Sequence, residues 1–330
     1  MSLLVLGGTA WLGREVAAAA IAQGQEVTVL ARGESGPAPT GARLVRADRR
    51  DPAAYDSVRD RDWDVVVDVA RQPSHVAGAL AALGERTAAW VFVSSASVYA
   101  ADDEPGADES ADLLPAHASD DEGWETYGAR KVACERAILA QVGDRALVAR
   151  SGLIAGPGDH TDRTGYWPLR FARPAGHDGA VLVPHSPLAT QVLDVRDLAA
   201  WLVRAGLGRA TGVVNASGPV VPLAEHLDAA RRVAGHDGPT VLVDQEWLVA
   251  HEVQPWSGER SLPLWLPLPE HAGFMARSTA AAEALGLTSR PLTETLADTL
   301  AWELASGPGR ARKAGLSPAD EASLLAAARQ

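Results

Sequence analysis

The chain has 330 residues, 47% hydrophobic and 22% charged, the proportions of a folded globular protein rather than a disordered one. A formal charge of −12 supplies no overall basic footprint for nucleic acid, and a single cysteine, Cys134, excludes an intrachain disulfide or a cysteine-built metal site. No apolar run is long enough for a membrane span or a signal segment. A cytoplasmic protein is therefore expected, acting on a small molecule without membrane or nucleic-acid partners, with a homodimer left open.

The first half alternates. Residues 3–6 make a short apolar strand that runs into glycines, and a helix is predicted over 11–23. Further strands are predicted at 26–30, 42–46, 64–69, 89–93 and 146–149, with helices at about 75–83 and 124–141. Strands without polar alternation, separated by helical stretches, predict an α/β fold: a doubly wound parallel sheet of Rossmann type, covered on both faces. The second half changes character. Residues 156–187 are rich in Gly, Pro and charge and read as long loops. Residues 192–206 read as helical after Asp197, 212–216 as a returning strand, and 223–234, 279–285 and 293–305 as amphipathic helices. Residues 307–315 read as a linker before a last helix from Pro318. The division expected is a dinucleotide-binding domain of residues 1–151 plus about 190–216. A smaller, mostly helical C-terminal substrate lobe takes about 152–189 plus 217–330.

The glycine segment Gly7-Gly8-Thr9-Ala10-Trp11-Leu12-Gly13 sits between a strand and a helix. There the backbone can approach a pyrophosphate closely, and the helix N-terminus offers N–H groups and the positive end of its dipole. Ala10 stands where the middle glycine is usual. The second strand ends in Ala31-Arg32-Gly33, with no carboxylate at the strand end itself. Arg32 suits a 2′-phosphate, so NADP(H) is favoured; Glu34 keeps NAD(H) as the alternative. After the third strand Asp48 is placed to accept from an adenine amino group, and Arg49 beside it is expected as a further cofactor contact.

Tyr127 and Lys131 are four residues apart and lie on one face of a helix. A phenol moves protons well near neutral pH only when its anion is stabilised, and an ammonium one turn away does that. Ser95, at the end of the strand reading Phe92-Val93-Ser94-Ser95, can hold a substrate oxygen. Nine scattered histidines show neither an HExxH pattern nor an i, i+4 pair, so no metal site is expected. Cys134 reads as a buried helix residue rather than a nucleophile. Ser97, Tyr166, Trp167 and Arg170 are candidate substrate contacts, the last three in a segment expected to overhang the active site. Trp256 and Trp265, among prolines, suit either a pocket wall or the core.

With these motifs in this order, the chain resembles the extended and atypical short-chain dehydrogenases/reductases, in the NAD-dependent epimerase/dehydratase branch. The matching segments are GGTAWLG, VFVSSASVYA, YGARK, ARSGLIAGPGD and LDVRDLA. The resemblance implies Ser95, Tyr127 and Lys131 as a catalytic triad. Tyr127 would be the acid or base, Lys131 the ligand of the nicotinamide ribose, and Ser95 the residue that orients the carbonyl. It also implies that Val69, Ala70 and Arg71, and Gly152, Leu153 and Ile154, lie along the cofactor. Departures narrow the chemistry. Ala96 and Ser97 stand where family dehydratases carry acidic residues. Ser151 replaces a usual proline. Thr190 stands where nucleotide-sugar epimerases commonly carry an arginine for the diphosphate, although Arg163, Arg170 or Arg173 could supply that charge from the loops. The expected function is NAD(P)-dependent reduction or oxidation of a small carbonyl or hydroxyl compound. The alternatives are a nucleotide-sugar epimerase holding NAD, and a non-catalytic dinucleotide sensor or RNA-binding relative.

Overall fold

A computed structural model of the chain describes residues 1–121, 123–307 and 309–329. Glu122, Pro308 (in the expected linker) and Gln330 lie outside the described residues. In chain order the first elements are β1 (Ser2–Leu6), α1 (Trp11–Ala22), β2 (Glu26–Ala31), β3 (Arg43–Arg46), β4 (Trp63–Asp68), α2 (Pro73–Leu83), β5 (Thr87–Ser95), α3 (Tyr127–Val142) and β6 (Ala146–Ser151). Next come β7 (Leu153–Ala155), α4 (Tyr166–Ala172), β8 (Val181–Pro184), β9 (Ala189–Asp194), α5 (Val195–Leu207), β10 (Gly212–Ala216), β11 (Val220–Pro222), α6 (Leu223–Val233), β12 (Thr240–Val243) and α7 (Gln245–Ala250). The chain closes with α8 (Ala280–Ala284), α9 (Leu292–Ala305) and α10 (Pro318–Ala327).

Seven strands form one parallel sheet in the order β10-β6-β5-β4-β1-β2-β3. Their side chains alternate between two apolar faces, as the period of two requires. Leu3, Val5, Val65, Val67, Val91 and Val93 join α1 and α5 in one core, which also takes Ala282 of α8. Leu4, Leu6, Val66, Trp90 and Phe92 join α2 and α3 in the other, where Cys134 is fully buried and its thiol is pushed up to about 12 by that burial. The chain leaves β1 toward β2 and β3, then returns to β4 on the other side of β1. That reversal opens a crevice at the carboxyl ends of β1 and β4, where doubly wound sheets hold their ligands. Leu6 is level with Asp68 there, and Ser95 ends β5.

The second lobe has its own core, including Trp167, Leu182, Leu227, Leu248, Trp265 and Leu324. Small sheets accompany its helices, among them β11-β9-β7 and β12-β8. Residues 156–187, expected as loops, contain α4 and β8. β8 is only four residues long, and α4 carries Pro168 in its first turn, where the missing N–H costs no helical bond.

Candidate active site

The glycine turn lies at the open end of β1. A Cβ on Gly13 would overlap the carbonyl oxygen of Gly7, so only glycine lets α1 fold back this tightly on its own strand. A Cβ on Gly7 would come within 2.7 Å of Val69, which shows how closely the turn packs on the end of β4; Gly8 packs in the same way on Val29. Thr9 is buried. Ala10 caps α1 without a side-chain acceptor, so its side chain satisfies none of the first-turn N–H groups. Trp11, the first helical residue, donates its indole N–H to the Pro157 carbonyl oxygen at 2.8 Å and meets His160 edge-on. Leu12 packs on the adjacent core. The loop after β7 is thereby tied to the glycine turn.

Arg32 is half exposed and pairs with Glu34 at 3.3 Å, while Arg46 from the end of β3 lies over Gly33. Asp48 points toward solvent, and hydrogen bonds from Arg50 hold its carboxyl well below the usual carboxylate range. Arg49 turns inward instead of toward a ligand. Its guanidinium binds both oxygens of buried Asp68 at 2.7 and 2.9 Å, and also the Tyr55 hydroxyl and the His75 carbonyl oxygen. Against the expectation of Arg49 as a cofactor contact, four of its five N–H groups are engaged in fixing the loop after β3 to β4. Asp68 also accepts from the Ala70 N–H, shaping the turn that carries Val69, Ala70 and exposed Arg71. Gly152 accommodates the Ser217 hydroxyl, and Leu153 and Ile154, half-buried, begin β7.

The catalytic candidates converge at the start of α3. Ser95 ends β5, and its hydroxyl accepts the Ser97 N–H at 3.1 Å and donates to the Ser97 hydroxyl at 3.1 Å. A Cβ on Gly128 would overlap the Ser97 carbonyl oxygen, so glycine at 128 allows α3 to seat directly on the Ser95–Ser97 turn. Tyr127 is the first residue of that helix. Lys131 is buried, and its ammonium donates to the carbonyl oxygens of Ala70 (2.6 Å) and Val93 (2.7 Å). It lies 6.0 Å from the centre of the Tyr127 ring and 4.7 Å from that of Phe92. Lys131 therefore joins the ends of β4 and β5 to the helix that bears Tyr127.

Three substrate candidates are placed elsewhere. Tyr166 and Trp167 are buried in the core of the second lobe, with the Trp167 indole donating to Pro263. Arg170 is buried too and pairs with Glu321 at 2.7 Å. An apolar face with a single cation suits a helix that packs inward, and the expectation that these residues overhang the site is corrected accordingly. Trp265 likewise belongs to the core. Thr190 is buried, donates to the Val221 carbonyl oxygen and lies 3.1 Å from His226 Nδ1. Sequence reading missed the role of Trp124, which stacks flat on Tyr127 with centroids 5.0 Å apart. It also gave no special place to Arg46 or Gly128; the Gly immediately after the tyrosine was the available signal for the latter. Among the described residues no cluster of His, Cys, Asp and Glu could hold a metal, and no helix is long and apolar enough to cross a membrane.

The family model described as NAD dependent epimerase/dehydratase family matches residues 3–82. No curated protein sequence matches the chain. Among solved structures, a candidate epimerase from Burkholderia cenocepacia J2315 superposes with a TM-score of 0.70 at 22% identity, covering 92% of this chain and 98% of that one. UDP-glucose 4-epimerase from Thermotoga maritima, solved with UDP-glucose, gives 0.66 at 16% identity, covering 93% and 99%. The Bordetella bronchiseptica enzyme WbmG, solved with NAD and UDP, gives 0.65 at 18% identity, covering 92% and 95%. Over residues 3–82 the chain thus carries the signature of the NAD-dependent epimerase/dehydratase family, and over more than nine tenths of its length it shares the fold of these solved structures.

Proposed function

We propose that the chain is a nicotinamide-dependent oxidoreductase acting on a carbonyl or hydroxyl group of a small organic substrate, with Tyr127 as acid–base and NADP(H) as preferred cofactor. The observation that carries this reading is the contact between Gly128 and the Ser97 carbonyl oxygen, which seats the Tyr127–Lys131 helix on the Ser95 turn. The glycine turn fits a dinucleotide: only glycine is tolerated where α1 meets Gly7, and the first turn of α1 has no side-chain cap to compete with a phosphate. Gly7 to Gly13 would face the pyrophosphate. Val69 to Arg71 and Gly152 to Ile154 would flank the nucleotide, and Asp48 would stand beside the adenine.

A nicotinamide dinucleotide, when bound, supplies the hydride donor or acceptor. Ser95 orients the substrate oxygen by hydrogen bonding, and Ser97, bonded to it, lines the same wall. The Tyr127 hydroxyl gives a proton to that oxygen in reduction and takes one from it in oxidation. Lys131 has two of its three N–H groups fixed on Ala70 and Val93, which leaves one for a ribose hydroxyl.

The preference for NADP(H) rests on Arg32 and Arg46, two guanidinium groups at the ends of neighbouring strands. In calorimetric titrations NADP is expected to bind more tightly than NAD. Arg32→Ala should cost the NADP complex about 1.5–3 kcal/mol, the worth of a charge-assisted hydrogen bond. Tighter NAD binding, untouched by Arg32→Ala, contradicts the assignment.

The second reading, a nucleotide-sugar epimerase holding NAD, is favoured by structural neighbours solved with NAD and UDP. Against it stands Thr190, an uncharged side chain engaged with Val221 and His226. A rise in melting temperature when a UDP-sugar is added to the nucleotide-loaded protein would put the epimerase reading first.

A further inference from the structure

Beside Tyr127 the site holds a cation that has no hydrogen-bond or ion-pair partner among the described residues. Arg163 lies in the loop before α4, its guanidinium 4.8 Å from the centre of the Trp256 ring and 5.8 Å from that of Trp124. Trp124 in turn stacks on Tyr127, and Trp256 meets Phe274 edge-on at 5.2 Å. Arg163 is thus walled between two indoles, in a row of rings that begins at the proposed acid–base. Its Nε is fully buried without a hydrogen-bond partner, and among the described residues no ion pair or hydrogen bond involves its guanidinium.

Two carboxylates of the same loop are already committed. Asp159, fully buried, accepts from the N–H and hydroxyl groups of both Thr161 and Thr164. Asp162 pairs with Arg310 and accepts from the Lys313 N–H. Those bonds hold the loop in one shape, so Arg163 keeps its place without a counter-ion. On the facing side Trp256 adopts a left-handed backbone (φ 66°), fixed by its N–H bond to Trp265. That is an unfavourable conformation for a tryptophan, of the sort that persists where the surroundings enforce it. Burial presses the Arg163 charge toward neutrality, the negative charge of Asp159 opposes this only in part, and an anion bound at the guanidinium would offset the desolvation further.

We propose that Arg163 is the specificity-determining residue of this site, and that it binds a carboxylate or phosphate group carried by the substrate. A planar guanidinium between aromatic faces keeps its edge N–H groups for a two-pronged contact with such an oxyanion. The indoles contribute cation–π attraction. The substrate then spans from Arg163, along Trp124, to its reacting oxygen at Tyr127. This inference rests on the function proposed above, and its test separates binding from chemistry.

Tryptophan fluorescence of the nucleotide-loaded protein is to be titrated with inorganic phosphate, UDP, acetate and benzoate, and with uridine and benzyl alcohol as uncharged counterparts. At least one anion is expected to bind more tightly than its uncharged counterpart, phosphate and UDP or acetate and benzoate telling which oxyanion is preferred. Arg163→Gln should weaken that anion about 10- to 100-fold while leaving the uncharged compounds and the nucleotide unchanged. Arg163→Lys, which keeps the charge but loses the planar fork, should fall between. Equal binding of charged and uncharged compounds, or anion affinity indifferent to Arg163→Gln in a protein whose unfolding temperature is unchanged, overturns the proposal. Anion binding that depends on Arg163 in a protein whose turnover ignores Tyr127→Phe would uphold the anion site and reject the chemistry proposed for it.

Discussion

A methyl group at residue 128 would overlap the carbonyl oxygen of Ser97, and that contact sets the distance between α3 and the end of β5. Gly128→Ala must therefore push the helix away from the Ser95 turn or strain the turn itself. Overpacking of this kind costs about 1–3 kcal/mol. The expected outcome is a lower unfolding temperature with turnover reduced much more than nucleotide affinity, because the glycine turn is a separate contact surface. Unfolding curves and nucleotide titrations on the purified variant check it; a variant with unchanged turnover would show that the seating of α3 is not needed. At this scale the local placement of the motif residues was legible in the sequence. Gly13, Ser95, Tyr127 and Lys131 are readable because a backbone close to a phosphate and a phenol near an ammonium each demand particular residue types at fixed spacing. Arg49 and Arg170 were not readable in the same way. Each has a carboxylate partner far along the chain, Asp68 and Glu321, and only the fold brings those pairs together.

At the scale of elements, β9 and α6 meet through Thr190 and His226. His226 is completely buried, its Nε2 has no partner, and burial lowers its ionisation to about 4 from an ordinary 6.5. The folded chain therefore takes up this proton less readily than the unfolded one. The stability that neutral His226 contributes is complete above about pH 6.5 and is lost as the pH falls toward about 4, at about 1.4 kcal/mol per pH unit. Urea unfolding at several pH values in that window should show this slope in the wild type and a shallower one in His226→Leu. Equal slopes would mean that His226 stays paired or reaches solvent. The strands and helices of the first half were legible because continuous apolar runs and helical stretches alternate there. In the second half α4 and β8 were read as loops. A seven-residue helix with an internal proline and a four-residue strand give no periodic signal, and the apolar contacts that form them come from α6, α9, α10 and β12. Trp124 was assigned to α3 on pattern, yet it stands three residues before the helix, where it can lie flat on Tyr127.

For the molecule as a whole, the reversal of strand order between β1 and β4 decides where everything functional must sit. The glycine turn, the turn after β4 and the Ser95 turn all leave the same edge of one sheet, and Lys131 joins two of those ends to α3. The second lobe contributes Trp256, together with the loop 159–164 that carries Arg163. The same fold in the neighbouring structures accompanies complexes with NAD and UDP, so the fold alone does not choose the substrate. On the function proposed here the choice falls to side chains such as Thr190 and Arg163, which follow no general code. The central claim, that this edge performs hydride transfer with Tyr127 as its acid–base, is tested most directly by nicotinamide absorbance. NADPH-loaded protein is mixed with a panel of carbonyl compounds bearing a carboxylate or phosphate, and the oxidation rate is compared in the wild type and Tyr127→Phe. The account predicts oxidation by at least one compound, a loss of about 10²- to 10⁴-fold in Tyr127→Phe, and nucleotide affinity nearly equal in the two proteins. Oxidation at the same rate in Tyr127→Phe, or NADPH that neither binds nor is oxidised with any member of the panel, would contradict it.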